Sequence, residues 1–134
     1  MRFHEIHPVG WAKPKGYCNG VLVDGAPRLL FVAGQVAWDA EQRLVGPGDF
    51  VAQFEQALRN VVAVVSEAGG LPQHIARLTI FVTDKELYLA RVKEVGAAYR
   101  EVVGRHFPAM SVVQVAGLLE EGALVEIEAT AALP

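Results

Sequence analysis

The sequence predicts an α+β fold, a two-layer sandwich in which a mixed β-sheet carries two helices on one face. Three observations predict it. Two segments repeat apolar residues every three or four positions, the remaining apolar segments are short and β-rich, and together they run β-β-α-β-α-β-β. Two amphipathic helices cover only one face of such a sheet. The chain has 134 residues, one domain's worth spanning 1–134, yet it is 52% hydrophobic and only 20% charged. A monomer of this size has little interior for so much apolar surface, so the bare sheet face is expected to be buried between identical subunits.

After an irregular start, "GVLVDGAPRLLFVAGQ" forms two short strands with Asp24-Gly25-Ala26-Pro27 as turn residues between them. Residues 37–48 carry Asp39, Gly46, Pro47 and Gly48 and form a loop. From Asp49 to Ala68 a stripe of Phe50, Phe54, Ala57, Leu58, Val61, Val65 and Ala68 predicts the first helix, with Gln53, Gln56, Asn60 and Glu67 mainly off it. Asp49 suits the positive end of that helix, and Gly69-Gly70 followed by Pro72 stops it. The β-branched and aromatic run at 75–82 predicts a strand. Thr83 to Glu86 is a T-x-x-E capping box opening a second helix, whose stripe is Tyr88, Val92, Val95, Tyr99 and Val102. Pro108 closes that region, and strands follow at about 110–118 and 123–132, joined by Glu120-Glu121-Gly122.

Composition narrows the function. No apolar stretch reaches the ~20 residues needed to cross a bilayer, and "MRFHEIHPVGW" lacks the apolar region of a signal peptide. The lone cysteine, Cys18, forms no intrachain disulfide, which fits a cytoplasmic protein. A net charge of −3 argues against a nucleic-acid partner.

Chemistry-bearing residues are few. Cys18 has no sequence partner that would lower its pKa, so it is expected to be an ordinary small thiol. His4 and His7 flank Glu5, but His74 and His106 supply no spacing that completes a metal site, and no metal is expected. Gly34-Gln35 follows a strand directly; this is either a bulge or a backbone amide exposed at a pocket. In "ALVEIEATAAL", Glu126 and Glu128 alternate with Val125, Ile127 and Ala129. From the residues alone, the solvated reading of these two acids leads; a cleft between packed sheets would instead make one of them a general base.

"KGYCNGVLV", "LLFVAGQVAWD", "FVAQFEQALRNVVAVVSEAGG", "IARLTIFVTD" and "FPAMSVVQVAGLLEEGALVEIEATA" together resemble the Rid superfamily, YjgF/YER057c/UK114, over nearly the whole chain from about Gly10. The resemblance implies a chorismate-mutase-like fold, a homotrimer and a small-molecule cleft at each subunit interface. It implies an imine or enamine deaminase that needs no cofactor, with Glu126 as the catalytic carboxylate and Tyr17 and Gly34 at the cleft. Glu128 is expected to be structural. The chain departs from the deaminase pattern at three places: Met110 stands where the carboxylate-binding arginine is expected, Ala33 where a serine is common, and Lys93 near the position of a helix asparagine. Methionine cannot replace the two charge-assisted hydrogen bonds of a guanidinium, so a more apolar pocket is expected. The expected activity is hydrolysis or tautomerisation of a small imine, enamine or related compound; a trimer that binds a metabolite or partner without turnover is the alternative, and a ribonuclease or translation inhibitor a third.

Overall fold

The computed structural model describes residues 1–26 and 28–134. Its nine main elements are β1 Arg2–Ile6, β2 Gly20–Asp24, β3 Arg28–Gln35, α1 Phe50–Glu67, β4 Ile75–Val82, α2 Lys85–Ala90, α3 Val92–Val102, β5 Ala109–Gln114 and β6 Val125–Leu133, with a 3-10 turn at Pro72–His74. Strands β3-β6-β4-β5 form a mixed four-stranded sheet, parallel only between β4 and β5, and the helices lie on one face. This is the α+β sandwich expected from the pattern.

Five details differ from that expectation. The N-terminal segment is not irregular: "RFHEI" forms β1, antiparallel to β2. β2 therefore does not pair with β3 across the expected turn, whose Pro27 lies outside the described residues. The second helix is split at Arg91, which leaves the helical φ/ψ region at φ −116°, ψ 19° and serves as both the C-cap of α2 and the N-cap of α3. Its start is capped by Asp84, whose carboxylate accepts from the Glu86 amide at 2.9 Å, and not by Thr83. The strand expected over 110–118 ends at Gln114.

α1 obeys its stripe. Phe50, Phe54, Ala57, Leu58, Val61 and Val65 are all buried, and Asp49 accepts from the Ala52 amide at 3.1 Å as the N-cap. Gly69 follows at φ +85°, a left-handed conformation that glycine adopts without a Cβ penalty. Gln53, expected off the stripe, is completely buried. Its amide donates to the Gly46 and Gly122 carbonyls at 3.2 and 3.1 Å, and its oxygen accepts from the Leu124 amide at 2.8 Å. One side chain thus ties the loop before α1 to the turn that leads into β6. Gln53→Leu is expected to leave those backbone groups unpartnered, costing roughly 3 kcal/mol and lowering the melting temperature on the order of 10 °C. An unchanged thermal melt would contradict this role.

The sheet has two unlike faces. Leu78, Ile80 and Val82 of β4 and Val125, Ile127, Ala129 and Ala131 of β6 are buried beneath the helices. The opposite face carries Thr79 and Phe81, in register with Glu128 and Glu126. It also presents Leu29 and Phe31 of β3, which are 61% and 74% exposed. No helix among the described residues is long and apolar enough to cross a membrane.

Candidate functional site

β3 and β6 position the carboxylate of Glu126. Between Val32 and Gln35 the register slips by one residue: Val32 pairs with Ala129 but Gln35 with Ile127. Ala33 and Gly34 are the residues of this bulge, and the extra residue bends the strand where the sheet edge meets the following loop. Gly34 lies directly beneath Glu126, and a Cβ added there would collide with the carboxylate. The glycine is therefore both bulge and close approach. Asn60 holds the loop beyond, donating to the Val36 and Trp38 carbonyls at 3.0 and 2.9 Å while accepting from Gln56 at 2.9 Å.

The result is a concave site of about 390 Å³ lined by Gly34, Gln35, Trp38, Leu119, Glu120 and Glu126 among others. The Glu126 carboxylate makes no hydrogen bond or ion pair to any described residue, so its lone pairs are free to bind a water or a ligand. Gly34→Ala is expected to preserve the fold, because the atoms it would displace end a flexible side chain, yet to swing Glu126 out of place. A circular dichroism spectrum matching wild type alongside unaltered ligand binding or turnover would overturn that assignment.

Met110 lies elsewhere on the chain. It is in register with Leu78 and so faces the helices, on the opposite side of the sheet from Glu126. It forms part of a second cavity of about 390 Å³, whose wall includes Gly16, Tyr88, Val95 and Phe107. Val92 stands beside this cavity 51% exposed, just past the break in the helix. Tyr17 is near: the Cys18 amide donates to the Pro108 carbonyl at 3.3 Å and Cys18 bridges Ala109, while Tyr17 lines an adjoining depression that shares Gly16 and Phe107. Cys18 itself is buried, and that burial, with Glu5 nearby, pushes its thiol pKa up, away from a nucleophilic thiolate.

Lys93 does not line the Met110 cavity. It is exposed on α3, three positions before Gly96, which lines the cavity. Trp38, Leu119 and Glu120 beside Glu126, and Tyr88 and Arg100 beside Met110, were not expected from the sequence as site residues. The one local signal was Gly96-to-Arg100, which at a spacing of four places a small residue beneath a long cation on a helix. Among the described residues no group of three or more His, Cys, Asp or Glu could hold a metal.

Residues 12–133 match the family described as endoribonuclease L-PSP. DfrA of Myxococcus xanthus is 39% identical over 119 residues, covering 86% of this chain and 83% of its own. The crystal structure of YyfB from Yersinia pestis, a protein of unknown function in the conserved Rid family, matches with a TM-score of 0.85 at 36% identity, over 99% of this chain and 100% of that one. TdcF of E. coli, solved with bound serine, matches with a TM-score of 0.69 at 30% identity, over 93% and 92% of the two chains.

Proposed function

This chain belongs to the Rid superfamily (YjgF/YER057c/UK114), the endoribonuclease L-PSP family of the sequence match, and from that membership we propose an imine or enamine hydrolase of altered specificity. The observation that carries the reading is the Glu126 carboxylate, unpaired in a concave site above the glycine of a β-bulge. A carboxylate so placed accepts a proton from water as the water oxygen adds to the imine carbon. Glu126 returns that proton to the nitrogen, and the carbinolamine then collapses as its hydroxyl proton passes to the amine, which leaves as ammonia and gives a carbonyl compound. An enamine first takes a proton at carbon to become the imine, and Glu126 is the group at hand to shuttle it.

The active unit is proposed to be a homotrimer. Glu126 and Met110 occupy opposite faces of one sheet, so a single chain offers two half-sites that only a neighbouring chain can unite. Apolar Leu29 and Phe31 on the bare sheet face and fully exposed Leu119 beside the Glu126 site are the surfaces such an assembly would cover. Ala33, Gly34 and Glu126 would come from one chain, and Tyr17 and Met110 from the next. No cofactor enters the reaction. The serine seen in TdcF is a ligand of that relative; in this chain Met110 gives its cavity an apolar wall.

Ammonia release from a panel of imines, generated in situ by an amino-acid oxidase, tests the reading. Hydrolysis faster than the spontaneous rate is expected for imines with apolar side chains, with 2-aminoacrylate a weak substrate. Ligand binding without any acceleration would favour the non-catalytic binding trimer, a reading that the loss of the arginine at position 110 supports.

A further inference from the structure

We propose that the cavity beneath Met110 takes an amphiphilic monocarboxylate, tail inward, with the carboxylate held at the mouth by Arg100 and Lys15. This deepens the functional reading and rests on it in one respect, that the cavity is a ligand site. Its floor and walls are apolar, including Ile80, Val95, Phe107 and Met110, and none of its lining residues is acidic. Its lining cations are Lys15 and Arg100. In a chain of net charge −3, this opening carries a local field of the opposite sign.

One close approach gives Arg100 its place. Gly96 lies one helical turn before it, and the Arg100 Nη1 atom is 3.4 Å from where a Gly96 Cβ would stand. The missing side chain lets the guanidinium fold back along α3 at the cavity wall. Arg43, Arg59 and Arg91 each pair with a carboxylate of the chain, whereas Arg100 pairs with no described residue. Lys15 is equally without an acidic partner among the described residues. The Tyr99 hydroxyl is already committed to the His106 carbonyl at 2.5 Å, so it does not compete for the anion.

This geometry sets a size requirement. Lys15 and Arg100 are exposed whereas Phe54, Ile80 and Val95 are buried, so the cations stand at the mouth and the depth is apolar. A short acid anchored at the mouth leaves that depth unfilled. A cavity of about 390 Å³ accommodates an aromatic ring or branched chain behind the carboxylate.

Calorimetric titration of the full-length protein with 3-phenylpropionate, 3-phenylpropanamide and propionate tests the assignment. The aromatic acid is expected to bind roughly 10–100-fold more tightly than its amide, the range for hydrogen bonds to a charged group, and more tightly than propionate. Arg100 and Lys15 are both exposed, so Lys15→Gln, Arg100→Gln should fold normally and erase the preference for acid over amide. Equal binding of acid and amide, or an acid preference that survives in the folded double variant, would overturn the proposal while leaving the cavity a ligand site. Absence of binding by all three probes would also overturn it, with imine hydrolysis still judged separately by ammonia release.

Discussion

Glu126→Gln is expected to leave the fold and the assembly intact while lowering turnover roughly 10²–10⁴-fold, the span of a general base. The substitution keeps the shape of the side chain and its contact above Gly34, but removes the charge and the ability to accept a proton. The stability cost should be small, because the Glu126 carboxylate holds no described partner whose loss would leave a buried group unsatisfied. Steady-state ammonia release measured beside a sedimentation profile separates the two effects. Full activity in a properly assembled Glu126→Gln protein would remove Glu126 from the chemistry and leave the binding role.

Phe31→Glu is expected to have an effect as large on assembly. Phe31 is 74% exposed on the isolated chain, on the sheet face that the helices leave bare. Three-fold symmetry would bury the new charge once in every subunit. An uncompensated buried charge costs about 3–5 kcal/mol per copy. Arg77 lines the same pocket as Phe31, but Glu128 lines it too and already sets one negative charge against that cation. Sedimentation equilibrium at micromolar concentration should show a trimer for wild type and a folded monomer for Phe31→Glu, which would also lose turnover. A variant that sediments like wild type would place the subunit contact on another surface.

The sequence was most legible where one physical signal acted alone. The stripe of α1, its Asp49 cap and the glycines that end it follow from periodicity and capping chemistry, and each is present. Gln53 defeated the same logic: hydropathy ranks an amide as solvent-facing, but three backbone groups from distant loops converge on it in the core. β1 was hidden because "RFHEI" mixes charges into a largely exposed ribbon and offers no buried alternation. At the second helix Thr83 and Asp84 both qualify as caps, and only the local backbone decides between them.

The candidate site divides in the same way. Alternation along β6 identified Glu126 as a residue of the non-helical face, and strand-end chemistry marked Gly34, because both signals are local. Lys93 rested on the resemblance and on no local signal: it is exposed on α3, while Val92 and Gly96 line the cavity. The expected meeting of Glu126 and Met110 in one cleft came from the resemblance alone. The residues themselves do not carry it, because the two side chains lie on opposite faces of one sheet and one sequence holds no record of how its copies pack.

A crystal structure of the assembled protein tests the central claim most directly. The account predicts a three-fold assembly in which Glu126 of each subunit faces the Met110 cavity of its neighbour across one shared cleft. A structure in which Glu126 opens to bulk solvent, with no neighbouring chain closing over it, would contradict the account.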